Sequence, residues 1–241
     1  MRIRNRIEPD TLPYALGAIG LGIATVIARD FAFQWQPVPA TVPMRELLAL
    51  LSGTLLITGG IAAALPSARS FRMILALFYL FWVVALHLPA VAAAPNVGTL
   101  LGVAEILALA SGGAVLAENR GPAWLPSAAR IAFGLSALVF ALAHFVYPDF
   151  TATMVPAWIP QPLFWAYATG AGHAAAGLAI LSGVRARLAA TALAAMCGSF
   201  VLLLHLPRVI AAPTDRVEWT MLLVALSIAG AALLIRRVLP R

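Results

Sequence analysis

Four histidines and one carboxylate stand within or at the ends of long apolar runs. A charge at the centre of a bilayer costs about 3 kcal/mol on insertion scales, so polar groups there are candidates for function by default. His87 and His205 each precede Leu-Pro and lie 118 residues apart. As a pair facing one site they would suit hydrogen bonding to a quinone carbonyl or proton relay. Haem ligation by two imidazoles is set below that reading. A plainer reading has each histidine satisfying the last carbonyls of a helix that the proline then stops. Glu105 and His173 lie deeper, about 12 Å and about 15 Å from the same end of their runs at the helical rise. They would form a carboxylate–imidazole contact if their helices adjoin, either binding a ligand or proton or only locking two helices together. His144, Tyr147 and Asp149 close the fifth run and join His87 and His205 in a polar band suited to a quinone head. Asp30 and Asp149 also read as solvated loop residues. Trp158, with Trp35 and Trp165, fits either an aromatic belt at the headgroups or the wall of a pocket.

No metal is expected, because four scattered histidines and the single Cys197 match no ligand spacing. One cysteine also excludes an internal disulfide or a Cys-x-x-Cys redox pair. The sequence contains no phosphate loop or nucleophile triad, so catalytic residues remain unassigned and whether the chain is an enzyme stays open.

The elements that must position these residues are membrane helices. Hydrophobic residues make up 62% and charged residues 10%, with a mean hydropathy of +0.95, far from soluble composition. Eight runs are long enough to span a bilayer, at about 12–29, 45–65, 71–88, 97–117, 128–147, 163–183, 187–206 and 217–237. The outer connections, Asp30–Pro39 and Asp149–Pro162, read as proline-rich loops. All basic residues are arginines. Arg2, Arg4, Arg6, Arg69, Arg72, Arg120, Arg130, Arg185, Arg187, Arg236, Arg237 and Arg241 fall on one side, against Arg29, Arg45, Arg208 and Arg216 on the other. The expected location is a bacterial inner membrane, and that asymmetry predicts both termini on its cytoplasmic side. It also accounts for the net charge of +7, so nucleic acid is not an expected partner and the lipid bilayer is. The basic N-terminus followed by the run from Leu12 reads as an uncleaved first span, since no small-residue cleavage pattern follows it.

The chain repeats itself. Asp30-Phe31, Pro37, Pro43, Gly53, His87-Leu88-Pro89 and Pro95 recur as Asp149-Phe150, Pro156, Pro162, Gly170, His205-Leu206-Pro207 and Pro213, at offsets of 117 to 119. The expected fold is all-α: a polytopic bundle of eight transmembrane helices built as two parallel four-helix repeats, 1–120 and 121–241. The glycines between Gly170 and Gly177 are expected to face a neighbouring helix closely.

The pattern Tyr167-x-Thr169-Gly170-x-Gly172-His173-x-x-x-Gly177, followed by an arginine turn and Arg187-x-x-Ala190, resembles the DoxX-like superfamily of small four-helix membrane proteins. The second half carries the resemblance most closely; the first is a diverged copy. Many such units have an acidic residue where this chain has His173. The resemblance implies an accessory subunit of a quinone-linked redox system, with membrane redox proteins as partners and the electron source outside this chain. A non-catalytic assembly or stabilising factor is the alternative. A small-molecule transporter ranks third, because the spans carry no paired mid-membrane breaks. A cavity is expected at the outer face, bounded by His87, His205 and the Pro156–Pro162 loop.

Overall fold

In a bilayer core the backbone can satisfy its N–H and C=O groups only within the chain, so long apolar runs become helices. The computed structural model describes residues 8–117 and 121–240, and these are helical with no strand among them. Arg2, Arg4, Arg6, Arg120 and Arg241 of the arginine count lie outside the described residues. The long helices are α1 (Leu12–Ala28), α2 (Arg45–Ala64), α3 (Met73–Ala93), α4 (Val97–Leu116), α5 (Leu125–Val146), α6 (Pro162–Ser182), α7 (Ala186–Ala211) and α8 (Arg216–Val238). Seven of these are long and apolar enough to cross a membrane. The other, α6, has comparable length, but its glycines and His173 lower its mean hydropathy. Large apolar side chains such as Ile27, Leu77, Leu178 and Leu202 are exposed around the perimeter, a surface suited to lipid rather than water.

The two most buried spans, α4 and α8, pack on each other. Helix α1 packs on α2 and α8, while α5 packs on α6 and α4; α3 lies against α4, and α7 against α8. Small residues allow these approaches. A Cβ added at Gly177 would come within 2.9 Å of the Gly134 carbonyl on α5, and one at Gly170 within 2.8 Å of His144 Cβ. The expected close packing of this run is therefore present.

Three local expectations are corrected. Helices α3 and α7 do not stop at His-Leu-Pro. Each makes a π-helical turn, Val83–His87 and Val201–His205, and continues to Ala93 and Ala211. A proline has no N–H for the carbonyl four residues back. The chain adapts by widening the preceding turn, so that Leu88 N–H bonds Val83 O and Leu206 N–H bonds Val201 O, five residues back. Second, the segment after α5 is not all loop, since Pro148–Met154 is a short helix. Pro148 sits in its first turn, where a missing N–H costs nothing, and Asp149 favours the same end.

The third correction concerns Trp35. It does not lie at the bundle surface but turns inward on a 3-10 turn, Phe33–Trp35, and is 4% exposed. Gln36 is buried beside it and donates to Ser52 Oγ at 2.7 Å. Arginines at the helix ends hold this segment. Arg216 donates to Asp30 O at 2.6 Å and to Phe31 O, and its guanidinium lies over the Phe33 ring at 4.5 Å. Arg45 pairs with Asp30 at 2.8 Å and bonds Pro39 O at 2.9 Å. Asp30 is thus an ion-pair partner of this clamp, with its side chain still partly exposed.

Candidate functional site

The π turns carry the two matched histidines, yet their surroundings differ. His87 is 3% exposed and its Nε2 lies 3.1 Å from Trp35 O. A carbonyl only accepts, so Nε2 carries the proton. The other face of the ring packs against Gly102, where an added Cβ would stand 2.8 Å from Nδ1. His87 is thereby sealed in by α4 and the Trp35 turn. His205 is also buried, but its Nδ1 has no partner and the residue lines a cavity. Of the pair, only His205 lines this cavity.

The cavity has a volume of about 580 Å³, within the range of small-molecule sites. Its walls come from α4, α5, α6, α7 and α8, with the segment 150–159 along one edge. Its origin is visible in the residues ahead of the two π turns. In α3 these are Tyr79 and Trp82, both fully buried and in edge contact at 5.3 Å. The residues four and one ahead of the π turn in α7 are Cys197 and Phe200, which line the cavity. Smaller side chains at equivalent places leave space.

Several sequence candidates meet there. Glu105, His144, His173 and His205 all line the cavity, along with Tyr147 and Trp165. His144 Nδ1 donates to Phe140 O at 2.8 Å. The His173 ring packs on His144 at 5.1 Å and on Phe140 at 5.4 Å between centroids; the residue is 3% exposed and its Nδ1 has no partner. Glu105 forms no hydrogen bond with His173, because α4 packs mainly on α3, α5 and α8. It approaches the Trp35 indole instead, although the indole N–H reaches no partner within full hydrogen-bond geometry. The expected carboxylate–imidazole contact is therefore replaced by two polar groups on separate walls of one cavity.

Other candidates stay outside. His87 does not line the cavity, and neither do Asp149 and Trp158, which are exposed on the short helix and the loop after it. The edge expected at Pro156–Pro162 is present through Pro156 and Ile159. Of the two readings open for Trp35 and Trp165, the pocket wall holds, while sequence reasoning missed Met196, Cys197 and Phe200 as wall residues. A comparison of the two halves would have flagged the last three, where bulky Phe78, Tyr79 and Trp82 give way to smaller side chains. Among the described residues no three His, Cys, Asp or Glu side chains converge to hold a metal.

Fold and site together define a polytopic helical membrane protein with a large, mainly apolar cavity carrying several hydrogen-bonding groups. A family model described as a domain of unknown function (DUF8561) matches residues 133–236, the stretch from α5 to α8 that supplies most of the cavity wall. No curated protein and no solved structure matches the chain.

Proposed function

We propose that the chain binds a ring-headed membrane lipid of the quinone class in this cavity, serving as an accessory subunit to a membrane redox partner. The observation that carries the reading is a cavity of about 580 Å³ into which His173, His205 and Trp35 bring polar groups without protein partners. Buried polar groups without partners cost about 1–3 kcal/mol each, a penalty that a ligand bearing oxygen atoms relieves. The apolar remainder of the wall suits a hydrocarbon ring and tail. No redox centre is needed in the chain itself, since the partner supplies electrons.

The wider proposal keeps two parallel repeats, 1–120 and 121–241, of DoxX-like character, with all eight helices crossing a bacterial inner membrane and both termini cytoplasmic. The recurrent motif offsets support the duplication, as do the matched π turns and the matched pairing of α1 with α8 and α5 with α4. In this reading the ligand lies mainly within the second repeat, with Trp35, Leu101 and Glu105 of the first along one wall, and the corresponding space of the first repeat is filled by aromatic side chains.

The test is a titration of detergent-purified protein with decyl-benzoquinone, read by quenching of tryptophan fluorescence, with mass spectrometry of the co-purifying lipid. Saturable binding of one molecule per chain is expected. Absence of saturable binding, with the fold intact, would favour the assembly-factor alternative.

A further inference from the structure

The hydrogen-bonding groups around the cavity are not interchangeable. His144 has a fixed role. Its Nδ1 donates to the Phe140 carbonyl at 2.8 Å, and a neutral imidazole carries only one N–H, so Nε2 is left as a bare acceptor. Nε2 makes no hydrogen bond among the described residues, and the ring stands on the cavity wall beside His173. Glu105, on the α4 wall, accepts through a carboxyl oxygen whether or not it carries a proton. The indole N–H of Trp35, near that carboxyl group, reaches no hydrogen-bond partner and can only donate. His173 and His205 form no hydrogen bond that fixes a tautomer, and each retains an unpartnered Nδ1. His144 Nε2 is therefore a fixed acceptor facing a ligand and Trp35 Nε1 a fixed donor, while Glu105, His173 and His205 follow the ligand. A ring hydroxyl can answer both fixed groups and a carbonyl oxygen only the donor.

We infer that the cavity selects the hydroxyl form of its ring-headed ligand, a hydroquinone or phenol, over the carbonyl form. The inference rests on the reading that this cavity holds such a ring. A ring hydroxyl donates to His144 Nε2, whereas a carbonyl oxygen in that place sets two lone pairs against each other. This is a binding preference and involves no electron transfer within the chain.

The experiment is anaerobic calorimetric titration of the detergent-purified full chain with decyl-benzoquinone, its two-electron-reduced hydroquinone, and the dimethyl ether of that hydroquinone. One neutral hydrogen bond corresponds to about tenfold in affinity at the upper end. The hydroquinone should bind about tenfold tighter than the quinone, and the dimethyl ether, which has no donor, should lose that advantage. His144→Phe keeps a ring in place and should bring hydroquinone and quinone to nearly equal affinity. Equal or tighter binding of the quinone to the unaltered protein would overturn the inference while leaving the ligand class standing. So would a dimethyl ether as tight as the hydroquinone. Failure of all three compounds to bind would overturn the ligand class itself, and the inference with it.

Discussion

His87 and His205 occupy the same place in the same local sequence, and their neighbours give them different work. His87 spends its N–H on Trp35 O, so its loss leaves a buried carbonyl without a donor. We expect His87→Leu to destabilise the protein by about 1–3 kcal/mol, seen as a lower Tm in detergent, while decyl-hydroquinone affinity stays within about twofold. His205→Leu should do the reverse, weakening ligand binding about fivefold for the loss of roughly 1 kcal/mol with little change in Tm. A matched loss of affinity in both variants would contradict the difference between the halves. The cavity residues Glu105, His144, His173 and His205 were legible because a polar side chain in an apolar run stands out. Trp35 was not, since an indole among prolines reads alike whether it ends in the headgroups or in the core. Asp149 and Trp158 failed for the same reason: their composition suits a pocket mouth, but their side chains face outward.

The existence of each long helix could be read from run length alone, but the ends of α3 and α7 could not. Proline ordinarily stops a helix, and the π turn that absorbs it has no compositional mark. That turn positions His205. Pro207→Ala restores an N–H for the Leu203 carbonyl and permits a regular α turn, which would rotate His205 away from the cavity by about one residue's 100°. The expected outcome is weaker hydroquinone binding with an unchanged or higher Tm; unchanged binding would mean that the π turn does not set the site. Packing between α5 and α6 gives a second expectation. Gly170→Leu or Gly177→Leu forces a side chain into contacts already at 2.8–2.9 Å, at a cost of about 1–3 kcal/mol or more. Ala175 is exposed on the same helix, so Ala175→Leu should leave the Tm nearly unchanged. Equal Tm values for all three variants would contradict the close packing.

At the scale of the whole molecule, the motif offsets were legible and a cavity beside His205 and the Pro156–Pro162 loop was expected. Its extent was not legible, because a void depends on side-chain volumes meeting in three dimensions. The arginine asymmetry makes a topological prediction: reporters fused at the C-terminus and at Glu118 should read cytoplasmic, and one at Asp149 the opposite side. Opposite readings at the two cytoplasmic fusions would break the parallel arrangement. The difference between the halves gives the most direct test of a ligand site built against the α7 wall. Cys197→Tyr with Phe200→Trp transfers to α7 the side chains that α3 carries at Tyr79 and Trp82, where both are fully buried. Decyl-hydroquinone titration of this double variant, alongside its Tm, is the measurement. A filled cavity should abolish saturable binding and leave the Tm equal or higher; binding at the unaltered affinity in a folded double variant would show that the ligand sits elsewhere.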